Sequence, residues 1–186
     1  MGWRCFLAAE LPGIGIRSAT ELIDRLAKKF SRGAIRWVNP DQLHLTLHFL
    51  GDEVSRVGAD AIAARGREIA EGVSPFTVTL EKLETLPPTG PARVIILPCS
   101  DRARRLAQIR NGFLPTIASL RLPQDLRPWR PHVTLGRIKG VPAKLPDLLA
   151  PSGDPLLITR LTLYRSILGS DGPQYAKLAE FPLGGR

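Results

Sequence analysis

The chain has 186 residues, enough for one sizeable core or for two small lobes that share one. Its 44% apolar and 23% charged residues are ordinary for a soluble globular protein, and no apolar run nears the roughly 20 residues that cross a bilayer. The opening segment MGWRCFLAAELPG lacks the apolar core of a secretion signal, so the cytoplasm is the expected compartment and no membrane partner is expected.

From the N-terminus, WRCFLAAELP alternates as a strand that Pro12 and Gly13 end. A helix is predicted from Ser18 to Phe30, with Ser18 and Glu21 as a capping box and Leu22, Ile23, Leu26 and Phe30 on one face. AIRWV and LHLTLHFLG read as two strands separated by the turn signal NPD, and Val54 to Glu71 as an Ala-rich helix. PFTVTLEKLETL and ARVIILP form a predicted hairpin across PPTGP. Asp101 caps a helix that runs to about Leu120, with Leu106, Ile109, Phe113 and Ile117 inward and a break near Pro115. HVTLGRI is the next strand. Residues 140–154, rich in Pro and Gly, read as a mobile connection, and LLITRLTLYRSI with QYAKLAEFPL closes the chain as a hairpin. The expected fold is α+β: two similar lobes, each an antiparallel sheet backed by helices, with a central cleft between the sheets. No linker divides the chain, so residues 1–186 are read as one domain.

Cys5 and Cys99 lie far apart in apolar segments, outside any CxxC or Cys/His cluster. They are expected to be buried reduced thiols, with neither disulfide nor zinc. The net charge is +9, and Arg supplies 20 of the 26 basic residues. Such a surface attracts polyanions and can grip phosphate oxygens bidentately, which permits nucleic-acid binding without diagnosing it.

The chain has three histidines, and two of them open the same short pattern: His44-Leu45-Thr46-Leu47 and His132-Val133-Thr134-Leu135. In a strand, His44 and Thr46 share one face and their leucines the other, and the same holds for His132 and Thr134. If the two strands lie side by side, two imidazoles and two hydroxyls converge. One neutral and one protonated imidazole can divide base and acid work near neutral pH. The hydroxyls can donate to phosphate oxygens, and no metal or other cofactor is required. His48 shares the parity of His44 but has no counterpart in the second motif; a cleft-edge or structural position is the expectation.

On these residues the sequence resembles the two-histidine phosphoesterases, and among them the RNA 2',3'-cyclic phosphodiesterases also known as LigT-type 2'-5' RNA ligases. The likeness rests on FLAAELP, RWVNPDQLHLTLHFLGD, PARVIILP, RPWRPHVTLGR and LTLYRSILGSDGPQYAKLAEFPL, five blocks in family order. It implies an enzyme that opens a nucleoside 2',3'-cyclic phosphate at an RNA end to a 2'-phosphate. In that reading His44 protonates the leaving 3'-oxygen, His132 activates water, and Thr46 and Thr134 hold the phosphate. It also implies a phosphate ligand at Arg137, with Arg130 as the nearest alternative. Strict alternation puts Arg137 on the face opposite His132, so that role requires a bulge or strand end near Gly136. Phe49, Trp129 and His48 complete the candidate substrate contacts; either aromatic could be a platform for a base, but core packing is the expectation for Phe49. The same site could join RNA halves as a 2'-5' ligase, by reversal of a related cleavage, or the basic cleft could bind RNA without turnover. A monomer is expected.

Overall fold

The computed structural model describes residues 2–125, 128–139, 153–169 and 172–184. Strand β1 (Trp3–Glu10) leads into helix α1 (Gly13–Ala27), which begins five residues before the predicted Ser18. Pro12 is extended, and its carbonyl accepts the Ile16 N–H at 3.0 Å, so the helix starts there and the expected capping box falls inside it. Gly15 does not interrupt it: a Cβ there would come within 2.8 Å of Leu156 Cδ1, so the residue gives close packing.

β2 (Ile35–Trp37) and β3 (His44–Val54) flank a short 3-10 turn at Pro40–Gln42. Ser55 caps α2 (Arg56–Glu71), its Oγ accepting the Gly58 N–H at 3.0 Å. The long predicted strand 75–86 is two, β4 (Phe76–Leu80) and β5 (Glu84–Leu86), both antiparallel to β6 (Val94–Ser100). The break has a cause in β6. Pro98 presents its carbonyl to Glu81 N–H on this flank at 2.8 Å but has no N–H to return, so the ladder cannot run through.

The predicted third helix is broken as expected into α3 (Arg105–Gly112) and α4 (Leu114–Ser119), with Pro115 in the first turn of α4. Asp101 Oδ2 accepts the Leu106 N–H at 2.6 Å, and Leu106, Ile109, Phe113 and Ile117 are buried. β7 (His132–Ile138) follows; of the expected connection 140–154, residues 140–152 lie outside the described residues. β8 (Pro155–Ile158), β9 (Arg160–Gly169) and β10 (Gly172–Pro182) end the chain. LLITRLTLYRSI is thus two strands, because the chain changes partner at Thr159: β8 pairs with β4, while β9 pairs with β1 and with β10 in the expected hairpin.

The fold is α+β. One half of the sheet has the order β10-β9-β1-β3 and the other β7-β6-β4-β8, with β2 beside β7 and β5 beside β6, all antiparallel. The halves join where Leu45 of β3 lies opposite Val133 of β7. Leu7, Leu45, Leu97, Val133 and Leu135 pack with the helix residues Leu22, Ile62, Ile109 and Phe113 in one apolar core. The helices cover that face of the sheet, and the other stays open. Cys5 and Cys99 are free and buried in this core, which pushes their thiols up to about 11 and about 12 and keeps them protonated. Among the described residues no helix is long and apolar enough to cross a membrane.

Candidate functional site

The junction of the halves is also where the two motifs meet. With Leu45 opposite Val133, the antiparallel register sets His44 abreast of Thr134 and Thr46 abreast of His132. Each imidazole is held in the same way. His44 Nδ1 is 2.6 Å from the Gln42 carbonyl, and His132 Nδ1 is 2.8 Å from the Arg130 carbonyl, in both cases the residue two before. A carbonyl can only accept, so each Nδ1 carries the proton and each Nε2 is left as the working nitrogen. His44 Nε2 lies 3.0 Å from Thr46 Oγ1, whose hydroxyl donates to it. Burial lowers the proton affinity of His44 below the ordinary imidazole range; the Gln42 carbonyl opposes this, and the neighbouring charge of His132 adds to the lowering.

Two β-bulges decide which later residues share this face. In β3 the register with β1 slips between Ala8↔Thr46 and Leu7↔His48, so one extra residue, Leu47, is accommodated. His48 therefore falls on the core face, against the parity expected for it. It is 5% exposed, and its Nε2 donates to the Arg110 carbonyl of α3 at 2.8 Å. The same bulge overturns the core packing expected for Phe49, which returns to the open face opposite Phe6, 43% exposed, with the Arg4 guanidinium 4.6 Å above its ring.

β7 repeats the device. Its register with β6 slips between Ile96↔Thr134 and Ile95↔Gly136, which makes Leu135 the extra residue. Gly136 then turns to the core, where a Cβ would lie 2.8 Å from Ile35 Cγ2 and 2.9 Å from Trp37 Cε3. Arg137 comes to the face of His132 and Thr134. The bulge that its implied role requires is present. Phe49 and Arg137 each follow their motif histidine by five residues and occupy corresponding places.

Of the remaining candidates, Arg130 spends its guanidinium on Glu84: Nη1 and Nη2 each reach a carboxylate oxygen at 2.6 Å. What it offers the site is its carbonyl. Trp129 is half-buried against the core, with the Arg110 guanidinium 5.4 Å from its ring centroid. Three aromatic rings that the motif pattern did not single out surround His44. Phe6 lies 4.8 Å from it, Tyr175 stands edge-on at 5.6 Å, and Tyr164 lies at 6.3 Å, stacked on Phe6. Glu10, opposite His44 in the register, accepts from Thr162 at 2.7 Å, Lys177 at 2.8 Å and Tyr164 at 3.2 Å. Burial, with Glu10 beside it, pushes the Tyr164 phenol up to about 12. The available signals were the alternation Phe6-Ala8-Glu10 and the placement of both tyrosines of the chain in its closing hairpin.

Paired His-x-Thr strands at the seam of a two-lobed antiparallel sheet define the class of two-histidine phosphoesterases. The chain belongs to the family described as LigT-like phosphoesterases, whose model matches residues 14–96 and 96–175, one motif in each stretch. It is 29% identical over 177 residues to an RNA 2',3'-cyclic phosphodiesterase of Aquifex aeolicus, covering 91% of this chain and 93% of that one. A Thermus thermophilus RNA 2',3'-cyclic phosphodiesterase is 33% identical over 152 residues, 80% of this chain and 75% of its own. Among solved structures, that of Escherichia coli LigT complexed with 3'-AMP superposes with a TM-score of 0.80 at 29% identity, over 98% of this chain and 99% of that one.

Proposed function

We propose that this chain is an RNA 2',3'-cyclic phosphodiesterase, working in the cytoplasm on RNA ends and leaving a 2'-phosphate. Water attacks phosphorus, the new P–O bond forms as the bond to the 3'-oxygen breaks, and the proton taken from water is matched by one given to that oxygen. His132 and His44 take those two proton roles, His44 as acid by the family likeness. The rate gain from each is about 10²–10⁴. Thr46, Thr134 and Arg137 donate to the non-bridging oxygens, where charge gathers in the transition state.

The observation that carries this reading is the matched suspension of the rings. Both Nδ1 atoms are tied to the carbonyl two residues back, which leaves both Nε2 atoms, that of His44 accepting from Thr46, as the nitrogens for proton transfer beside the Leu45–Val133 junction. The lowered proton affinity of His44 favours its neutral form before substrate binds, and an anionic phosphate beside it would draw a proton onto it.

The test is turnover of an RNA oligonucleotide ended by a 2',3'-cyclic phosphate, with the product's phosphate position identified. A 2'-phosphate is expected; no turnover, or a 3'-phosphate, would end the proposal. A substrate with sulfur in place of the 3'-oxygen separates the roles, since a thiolate leaves without a proton. It should rescue the His44→Ala variant and not His132→Ala.

A further inference from the structure

Arg36 of β2 stands directly opposite Arg137 of β7 in the strand register. β2 lies along the flank of β7 that β3 joins at Val133, and Val38 N–H donates to the Leu135 carbonyl at 2.9 Å to hold it there. Both arginines are exposed. Like charges directly opposite across an antiparallel pair repel, so the contact costs stability in the free protein.

Four arginines of this chain are paired with carboxylates: Arg4 with Asp52, Arg65 with Glu68, Arg130 with Glu84 and Arg160 with Glu180. Arg36 and Arg137 have no carboxylate partner among the described residues. Their charges nevertheless reach the site. Burial raises the Tyr175 phenol, and Arg137, Arg4 and Arg36 oppose that rise, while the Tyr175 ring stands edge-on to His44. Two opposed guanidiniums with no carboxylate partner among the described residues make a place for an anion.

Which anion follows from position. Thr46 and Thr134 already attend the motif histidines, and the Arg pair lies roughly 13–16 Å further along the strand from His132. We propose that Arg36, sharing the load with Arg137, binds the phosphodiester that precedes the reacting nucleotide, so that the site prefers an RNA end to a free cyclic mononucleotide. The inference rests on the cyclic phosphodiesterase reading and adds to it a backbone subsite. Arg137 serves both phosphates; Arg36 serves the outer one.

The experiment compares an RNA tetranucleotide ended by a 2',3'-cyclic phosphate with adenosine 2',3'-cyclic monophosphate. Arg36→Gln should lower the ratio of their kcat/KM values by about tenfold, the loss of one charge-assisted contact. Arg36→Lys should keep part of the preference. The salt dependence for the tetranucleotide should flatten by about 0.7 in slope for the lost phosphate contact. An unchanged ratio would overturn the subsite.

Calorimetric binding of a tetranucleotide bearing a terminal 2'-phosphate, against adenosine 2'-monophosphate, reads the same preference without turnover. A protein that hydrolyses neither substrate refutes the phosphodiesterase reading, and the binding ratio still decides on Arg36. Removing one of two opposed charges should leave Tm level or raise it. A fall would make Arg36 a packing residue and count against the proposal.

Discussion

Leu45 stands opposite Val133, and this pair, set between the two His-x-Thr motifs, makes one site out of two halves of the sheet. The apolar residue inside each motif points to the core and is fully buried or nearly so, Leu45 at 1% and Val133 at 0% exposure. The polar residues on either side are therefore presented together on the open face. Core packing and chemistry are coupled through alternate residues of the same two strands.

His44→Ala and His132→Ala should each lower kcat on a cyclic-phosphate-ended RNA by about 10²–10⁴ while Tm moves little. The double variant should be little worse than either single one, since the two groups act as a unit. Steady-state kinetics with circular dichroism checks this, and either variant retaining full activity would exclude the acid–base pair. EDTA should leave the wild-type rate unchanged.

Thr46→Val and Thr134→Val remove a hydroxyl at nearly constant volume. Each should cost about 10² in kcat, in line with the loss of one transition-state hydrogen bond. Thr→Ser at the same positions should restore most of the rate. Equal losses for Ser and Val would instead point to packing.

His48 should matter to folding and not to chemistry. Burial lowers its proton affinity, as it does for His44, so the unfolded chain binds more protons than the folded one once the pH falls below the ordinary imidazole value of 6.5. Stability is therefore full above that value and declines as the pH falls through it towards the lowered values of the folded chain. His48→Gln retains a donor for the Arg110 carbonyl and cannot take up a proton. Its Tm should depend less on pH in this window, with kcat within about threefold of wild type. Tm measured at pH 5, 6 and 7 decides it.

Gly136→Ala places a Cβ within 2.8 Å of Ile35 and 2.9 Å of Trp37 at the β7 bulge. Overpacking of this kind costs about 1–3 kcal/mol, readable by urea unfolding. The rate should fall as well, because the bulge is what brings Arg137 to the open face. Gly153→Ala, where a Cβ meets open space, is the control and should show neither effect.

The motif residues were legible because strand alternation is a local rule, and it holds from His44 to Thr46 and from His132 to Thr134. It failed from His48 onward for a reason that no single strand can reveal. A bulge is a mismatch of two residues against one, defined only with the partner strand in place, here β1 for β3 and β6 for β7. The same bulges moved Phe49 and Arg137 to the site. The tension at Gly136 was visible because a role for Arg137 was already implied; nothing prompted the same question at Leu47. The start of α1 lies before Ser18 because Pro12 and Gly13, which signal the end of the strand, also open the helix, and at Gly15 the lack of a side chain makes room for Leu156. The rings around His44 come from β1, β9 and β10, strands distant in sequence that only the sheet order brings together.

The positions five residues past each histidine carry one more consequence. Taken alone, two His-x-Thr strands that meet antiparallel look alike from either end, and such a frame has no means of telling a 2'-oxygen from a 3'-oxygen. At the matching places, however, one strand carries the ring of Phe49 and the other the charge of Arg137. A ligand with a flat base at one end and a charged backbone at the other can lie across this seam in one direction only. On the proposed reading, direction, and with it the choice of which bond breaks, would be set by the unlike pair that flanks the like ones.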